Sequence, residues 1–302
     1  MSGVTVRVVL VTLTPKPVRP EWLRAPAPVG DNYRDLKQLM GRLKLHTVCE
    51  SAACPNVGEC WNRRTATFMI LGNVCTRRCG FCAVQKGGPL AVDYDEPARV
   101  AEACEAMGLR YAVVTSVNRD DRKDGGAELF RMTIDAIRAR IPGCKVEVLV
   151  PDFQGSHAAM ELVMRPHPPD VLNHNTETVP RLYRQVRLGA RYERSLEMLR
   201  YAKELSPVTP VKSGLMLGLG ETETEVIGVM RDLRAHSVDI LTLGQYLRPS
   251  PKHLPIVRYV APDEFRALRE IGQEIGFSHV EAGPLVRSSY HADDSHSAAL
   301  QN

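Results

Sequence analysis

Residues 67–82 read TFMILGNVCTRRCGFC. The run from Thr67 to Leu71 is apolar and short, which predicts a buried strand. Cys75, Cys79 and Cys82 follow in the next loop and therefore lie at the carboxyl end of that strand. Enzymes built from parallel β/α units place their catalytic groups at this end of the strands. The stretch therefore predicts a parallel α/β fold with a cysteine site beside its first strand.

The strand-then-helix pattern continues along the chain after this stretch. Predicted strands are Thr67–Leu71, Tyr111–Thr115, Val146–Val150, Val171–Asn173, Val211–Leu217 and Ile240–Gln245. Predicted helices between or after them are Pro97–Met107, Ala127–Arg140, Tyr192–Leu205, Thr222–His236 and Pro262–Ile275. Parallel strands need a helical crossover, so this series predicts a parallel sheet. Because a complete barrel needs eight units, we expect a partial (β/α)6 barrel.

The two ends of the chain do not follow this pattern. Residues before Thr67 predict extended chain and one helix, Tyr33–Leu43, while the small and polar residues after about Gly283 predict a closing tail. We therefore divide the chain into an N-terminal extension (1–62), the partial barrel (63–280) and a C-terminal tail (281–302). Both extensions are expected to close the barrel mouth.

Six of the eight cysteines form two compact groups. The first triad, Cys49, Cys54 and Cys60, has the spacing C-x4-C-x5-C, and the second triad, Cys75, Cys79 and Cys82, has C-x3-C-x2-C. A structural zinc site usually takes four ligands as two short-spaced pairs. Three neighbouring thiolates suit three irons of a 4Fe-4S cluster and leave the fourth iron for another ligand. Zinc completed by His46 or His291 is the alternative, chiefly for the first triad.

Cys104 and Cys144 stand alone, one in a helical pattern and one beside a strand. We interpret both as small buried hydrophobic residues.

Composition excludes several classes of function. The 302 residues include 39 basic and 35 acidic ones without a long basic run, so a nucleic acid is not expected as a partner. The apolar segment Val4 to Leu13 is too short to span a bilayer and lacks a signal-peptide pattern, so we expect a loosely held strand or tail in a cytoplasmic protein. In that reducing compartment cysteines are better interpreted as metal ligands than as disulfides.

The second triad, with Phe81 before its third cysteine, resembles the signature of radical S-adenosylmethionine (SAM) enzymes. Other motifs resemble the lipoyl synthase family over nearly the whole chain. They are PEWL (20–23), HTVCE (46–50), CPN (54–56), GECW (58–61), SVNRDD (116–121), DGG (124–126), NHNTE (173–177), KSG (212–214) and RSSYHA (287–292).

This resemblance implies two 4Fe-4S clusters with different roles. The cluster on the second triad binds SAM through its open iron and is reduced by one electron, which yields a 5'-deoxyadenosyl radical. The first triad binds an auxiliary cluster whose fourth ligand is a serine oxygen, and the matching position is Ser288. The radical removes hydrogen from a protein-bound octanoyl-lysine, and the auxiliary cluster donates sulfur at C6 and then at C8, giving the lipoyl group.

The resemblance also implies residues that bind SAM and partners that the enzyme needs. The implied SAM-binding residues are Phe81, Thr115, Ser116, Asn118, Glu177, Arg191 and Lys212. The implied partners are octanoylated lipoyl-carrier domains, such as the glycine cleavage H protein or the E2 subunit of 2-oxoacid dehydrogenases, and an electron donor such as ferredoxin or flavodoxin.

Two other functions are compatible with parts of the pattern. Biotin synthase and methylthiotransferases also pair two iron-sulfur clusters, but the order of the two triads together with RSSY at 287–290 favours lipoyl synthase. A metal-stabilised module that binds RNA or protein would be expected to show clusters of basic and aromatic residues. Aromatic residues make up only 6% of the chain.

Overall fold

The computed structural model describes residues 18–25, 27–63 and 65–299. The predicted strand or tail at Val4 to Leu13 lies outside these residues. The strands are β1 (His46–Thr47), β2 (Thr67–Ile70), β3 (Val74–Cys75), β4 (Gln85–Lys86), β5 (Tyr111–Ser116), β6 (Lys145–Leu149), β7 (Val171–Asn173), β8 (Val211–Leu217), β9 (Ile240–Gln245) and β10 (His279–Gly283).

From β4 onward, one or two helices separate each strand from the next. The helices are α1 (Asp31–Arg42), α2 (Val48–Ser51), α3 (Val57–Asn62), α4 (Glu96–Ala106), α5 (Ala127–Arg140), α6 (His157–Met164), α7 (Tyr183–Val186), α8 (Tyr192–Leu205), α9 (Glu223–Ala235), α10 (Pro262–Ile275) and α11 (Ala292–Ala299). Short 3₁₀ turns occupy Glu21–Leu23, Phe153–Gly155 and Pro180–Leu182.

Eight strands form one sheet in the order β1-β2-β5-β6-β7-β8-β9-β10. Every neighbouring pair from β2 to β10 is parallel, and only β1 pairs antiparallel with β2. The sheet is open, with β1 and β10 at its edges. Residues from β2, β5, β8 and β9 line one shared cavity, which requires the sheet to curve around it. This arrangement is a mostly parallel α/β fold of the expected class.

Helices cover the outer face of the sheet, so its central strands are buried. All four residues of β2 and all six of β9 are buried. Helix α10 begins with Pro262, where a missing N–H costs little, and ends at Gly276, whose φ of 101° is left-handed. These two signals explain why the boundaries of this helix agree with the sequence prediction.

The six predicted parallel strands are all present, with ends shifted by at most one residue. The sequence analysis did not predict β10, whose buried and half-buried residues alternate in the short string HVEAG. This strand crosses residue 280, so the proposed boundary between barrel and tail falls inside an element of the sheet. The division of the chain into three parts otherwise stays a prediction.

Part of the predicted tail is helical. Helix α11 buries Ala292, Ser295 and His296, and it has Asp293 and Asp294 in its first turn, where negative charge stabilises a helix. The ring of His296 lies 5.6 Å from that of Tyr111. The tail therefore packs against the first residue of β5.

Candidate active site

One cavity of about 1000 Å³ extends along the concave face of the sheet to the carboxyl ends of its strands. All six cysteines of the two triads line it, although the triads lie in different parts of the chain. Other predicted site residues in its wall are Phe81, Thr115, Ser116, Asn118, Glu177 and Ser288.

The second triad lies in a loop that is hydrogen-bonded to the end of β5. Thr76 N donates to Asn118 O (3.1 Å), and Asn118 N donates to Cys75 Sγ (3.3 Å). Backbone hydrogen bonds to cysteine sulfur are one of the means by which a protein adjusts the potential of an iron-sulfur cluster. Asn118, which the sequence predicts to bind SAM, therefore also contacts the loop of the second triad.

Arg77, between the first two cysteines of this triad, is buried and crosslinks three loops. Its guanidinium donates to both carboxylate oxygens of Asp120 (2.8 and 2.9 Å) and to Asp152 (2.5 Å). Burial alone would raise the pKa of Asp152, but the Arg77 guanidinium outweighs it and lowers the pKa to about 2. The bidentate geometry orients Arg77 in a way that lysine does not reproduce.

The first triad is carried by two short helices before the barrel. Cys49 lies in α2, whose N-cap Thr47 accepts a hydrogen bond from Glu50 N (3.3 Å), and Cys60 lies in α3. Trp61 is fully buried, with its ring 5.1 Å from that of Tyr33 in α1. Helix α1 therefore supports the loop that holds this triad.

The C-terminal segment is bonded to the same loop on both sides of Ser288. Asn56 Nδ2 donates to Leu285 O (2.8 Å), and Tyr290 Oη donates to Glu59 (3.0 Å). Arg63 Nη1 lies 2.8 Å from His291 Nε2. These contacts join residues more than 220 positions apart, and they hold the segment of Ser288, which lines the same cavity as Cys54 and Cys60.

Within each triad the thiols lie close enough to influence one another. Burial, with a smaller contribution from neighbouring cysteines of the first triad, raises the pKa of Cys49 to about 11 and that of Cys60 to about 12. Burial likewise raises the pKa of Cys82 to about 12, with contributions from Cys79 and Cys75. Thiolates are the metal-binding form, so loading of these sites must release protons.

Each triad is a donor set that fits a 4Fe-4S cluster. In the described residues, no group of three or more His, Cys, Asp or Glu side chains is arranged to hold a metal ion. In a 4Fe-4S cluster each cysteine binds a different iron, so its sulfurs need not converge on one point. Each triad therefore fits a 4Fe-4S cluster because it supplies three soft sulfur donors in the wall of the cavity.

Polar atoms in the cavity wall lack partners within the described chain. Ser116 Oγ and Asn175 Oδ1 are buried without a hydrogen bond, whereas Thr115 Oγ1 donates to Leu149 O (2.8 Å). Glu177 has a φ of 66°, unusual for a residue with a side chain, and burial raises the pKa of its carboxyl group. Unpaired buried polar atoms and backbone strain both occur at ligand sites.

Comparison with known proteins places the chain in a family. Residues 69–233 match the radical SAM superfamily, and residues 9–54 match the N-terminal domain of lipoyl synthase of that family. The lipoyl synthase of Koribacter versatilis is 60% identical over 283 residues, which cover 94% of this chain and 93% of that protein. The chain belongs to the lipoyl synthase family. The relative from Rubrobacter xylanophilus is 62% identical over 276 residues, which cover 91% of this chain and 86% of that protein.

Membership of the lipoyl synthase family establishes the general chemistry. The chain is a radical SAM enzyme that inserts sulfur and uses a 4Fe-4S cluster with SAM. The crystal structure of methylornithine synthase aligns with a TM-score of 0.55 at 17% identity, covering 80% of this chain and 73% of that one, which shows a shared fold. No described helix combines the length and apolar character that a bilayer crossing requires.

Lys212 and Arg191, two of the residues predicted to bind SAM, lie outside the cavity wall. Lys212 is the second residue of β8, not a residue at its carboxyl end, and its buried Nζ lies 3.1 Å from Glu147 Oε1. Arg191 is exposed and immediately precedes α8. The proposal below is built on the residues that line the cavity, and the assignment of Lys212 and Arg191 to SAM binding stays a prediction.

The structure places two other residues in the wall that the sequence analysis did not assign. Arg187 is buried, and its Nη1 donates to Asn175 O (2.8 Å) and Tyr183 Oη (2.9 Å). His174 is buried with Nδ1 2.8 Å from Val150 O. Arg187 lies four positions before Arg191 in the segment RLGAR, and nothing in the letters distinguishes the buried arginine from the exposed one. The motif NHNTE did contain His174, but offered no chemical reason to select it.

Cys104 and Cys144 are both buried and lie outside the cavity wall. Their interpretation as buried hydrophobic residues is confirmed.

Proposed function

We propose that the cavity holds two 4Fe-4S clusters, one on each triad, and that the enzyme inserts sulfur at C6 and C8 of an octanoyl chain on a carrier-protein lysine. The observation that carries this proposal is the meeting of both triads and Ser288 in the wall of one cavity. Hydrogen abstraction and sulfur transfer need a shared space from which water is excluded, because a carbon radical is readily quenched.

The auxiliary cluster would be held by the first triad and by Ser288. Contacts of Leu285 and Tyr290 with the loop of the first triad support this assignment, since they position the intervening serine from both sides. A hard oxygen binds a thiophilic iron less firmly than thiolate does. Ser288 would therefore complete the cluster with a ligand that exchanges when sulfur is removed.

The SAM site would lie between the second triad and the ends of β5 to β8. Glu177 and Arg187 supply one negative and one positive charge, which match the ammonium and carboxylate groups of an amino acid. Ser116 Oγ is free to donate or accept a hydrogen bond there, and Asn175 Oδ1 is free to accept one. Phe81, half-buried in the same wall, would provide apolar contact.

When bound, SAM and the two clusters supply the adenosyl radical and the sulfur that the reaction consumes. The residues of the chain hold these groups, orient the second triad through Asn118 and Arg77, and enclose the cavity with the C-terminal segment.

The physiological setting follows from these requirements. We assign as substrates the octanoylated H protein of glycine cleavage or E2 domains, and as reductant ferredoxin or flavodoxin. A cytoplasmic location agrees with the need to keep six cysteines reduced until the clusters are assembled. The extensions at 1–62 and 281–302 would close the mouth of the central part, with β10 shared between the last two parts.

Two triple variants test the proposal. Alanine at all three positions of the second triad should abolish 5'-deoxyadenosine formation while the first triad still binds a cluster. Alanine at all three positions of the first triad should preserve deoxyadenosine formation but end lipoyl formation. Each variant, prepared anaerobically, should contain roughly four iron atoms per chain instead of eight.

The matched control is Cys104→Ala with Cys144→Ala, which removes two buried thiols outside the cavity. It should keep the iron and sulfide content of the parent protein. Retained deoxyadenosine formation without the second triad, or lipoyl product without the first, contradicts the assigned roles.

A further inference from the structure

The outer side of the second triad's loop contacts two other loops of the barrel at Gly80. Gly80 N donates to Val186 O (2.9 Å), and Leu254 N donates to Gly80 O (3.1 Å). A Cβ at Gly80 would lie 2.9 Å from the Leu254 side chain and 3.0 Å from Gln185 O, so these loops meet there without spare room. The segments 74–92, 178–192 and 246–261 therefore share a surface on the outer side of the cysteine loop.

Side chains from these segments connect the surface with the cysteines. Lys86 is exposed, and its Nζ donates to Cys79 O (3.0 Å). His253 Nε2 lies 3.1 Å from Cys82 O. Two cysteines of the second triad are thus one hydrogen bond away from side chains of this surface.

The surface carries positive charge that is not neutralised locally. The three segments contain no Asp or Glu, although the chain has 35 acidic residues. Some of their arginines are committed elsewhere: Arg181 pairs with Glu225, and Arg258 pairs with Glu264. Arg191 is also exposed, but it lies five positions from Val186. The other exposed cations are Arg78, Lys86, Arg184 and Lys252, which we call the basic face.

No described carboxylate lies within 4.0 Å of the charged atoms of the basic face. All four residues lie near Cys79 and Gly80. Arg78 directly precedes Cys79, and Lys86 donates a hydrogen bond to Cys79 O. Arg184 and Lys252 lie two positions before Val186 and Leu254, which are hydrogen-bonded to Gly80. Leu188, 56% exposed, lies two residues after Val186 and adds an apolar contact point. Unpaired charges of one sign around a small apolar patch are suited to a transient, electrostatically steered partner.

We propose that the basic face docks the small acidic protein that delivers one electron to the cluster of the second triad. This inference rests on the function proposed above and locates one of its partners. In the step the carrier protein loses one electron and the cluster gains it, with no covalent bond made or broken. The carrier would meet the loop from outside, and the cavity on the other side of the cysteines would remain available to SAM and the octanoyl chain.

An octanoylated lipoyl-carrier domain is the competing acidic occupant. It must deliver its lysine into the cavity that both triads line, whereas Arg78, Arg184 and Lys252 lie outside the cavity wall and only Lys86 borders it. The short path to Cys79 and Cys82 therefore favours the electron carrier.

The test reverses two charges that make no hydrogen bond to the cysteine loop, in the double variant Arg184→Glu/Lys252→Glu. The matched control is Lys37→Glu/Arg231→Glu, which reverses two exposed cations on α1 and α9. Reduced flavodoxin is the probe. Its dissociation constant is measured by calorimetry with the cluster-loaded protein, and its KM is measured in SAM cleavage, each at low and high salt.

The dissociation constant and KM for flavodoxin should rise about tenfold in the basic-face variant, and the difference from the parent should shrink with added salt. The control should behave like the parent. SAM cleavage driven by dithionite, a small reductant that needs no docking, should be unchanged in both variants.

Three outcomes overturn the inference. One is an unchanged dissociation constant for flavodoxin in the basic-face variant. Another is a loss of dithionite-driven SAM cleavage as large as the loss of flavodoxin-driven cleavage, which would show that the two residues stabilise the cluster site. The third is weakened binding of octanoylated H protein with flavodoxin binding intact. Failure of the parent protein to cleave SAM with dithionite would instead contradict the proposed function, so the two failures are distinguishable.

Discussion

Replacement of Lys212 by methionine should destabilise the protein without weakening its affinity for SAM. Lys212 Nζ lies 3.1 and 3.4 Å from the two carboxylate oxygens of Glu147, and both side chains are essentially inaccessible. Tyr111 Oη donates to Glu147 (2.8 Å), as does Asn173 Nδ2 (3.1 Å). The variant would leave a buried carboxylate with two neutral donors and no positive charge.

The size of the effect follows from the burial of this pair. Removing one partner of a buried ion pair costs about 3–5 kcal/mol, because the other charge remains desolvated. Total stability of a domain is only about 5–15 kcal/mol. With a urea m-value near 3 kcal/mol/M, the midpoint of unfolding should fall by about 1–2 M. Glu147→Gln should be comparably harmful, and the double variant Glu147→Gln/Lys212→Met should recover part of the loss.

The assay is urea unfolding of reduced, cluster-free protein at pH 7, followed by far-UV circular dichroism. Lys203→Met is the matched control, since Lys203 pairs with Asp239 at 2.8 Å but both side chains remain about one-fifth exposed. Its cost should stay near or below about 1 kcal/mol. The affinity for SAM is measured separately on cluster-loaded protein.

Two results would refute this reasoning. The first is a loss of less than about 1 kcal/mol in Lys212→Met, which would show that the pair is not desolvated. The second is unchanged stability together with a SAM affinity weakened at least about tenfold, a difference of about 1.4 kcal/mol. That result would return Lys212 to the cofactor site.

Three further predictions concern the cavity. Ser288→Ala and Ser288→Cys should both keep forming 5'-deoxyadenosine but yield much less lipoyl product. Mass spectrometry with an octanoylated peptide would quantify both products. Lipoyl product at the level of the parent protein from both variants would reject the ligand assignment. Gly244→Ala should displace the C-terminal segment, because the new Cβ would lie 2.1 Å from Val286 O, so its auxiliary cluster should lose iron faster to a chelator than that of the parent. Burial lowers the pKa of His174 to about 4, so below about pH 6.5 the unfolded chain binds a proton that the folded chain does not. The unfolding free energy of cluster-free protein should therefore fall by about 3 kcal/mol as the pH drops from about 6.5 to about 4, and a flat profile, or an equal slope in His174→Gln, would contradict this.

The sequence alone determined the repeating architecture and indicated the two cysteine triads as candidate metal ligands. Strands such as β2 and β9 are mostly apolar and buried throughout, since helices cover the outer face of the parallel sheet. Helix α10 has its own start and stop residues, Pro262 and Gly276. The two cysteine spacings are local features as well, because neighbouring positions in a loop can bind one cluster whatever the rest of the chain does.

Only the tertiary structure decided which distant residues share the cavity. The segment that carries Ser288 contacts the loop of the first triad through hydrogen bonds that span more than 220 positions, and no local pattern encodes such a distance. Arg187 lines the cavity whereas Arg191 does not, and Lys212 lies in a buried ion pair. Both facts depend on where each side chain points in the folded protein. Strand β10 escaped prediction for the same reason: its five residues are held by pairing with β9, a non-local interaction that outweighs their weak intrinsic pattern.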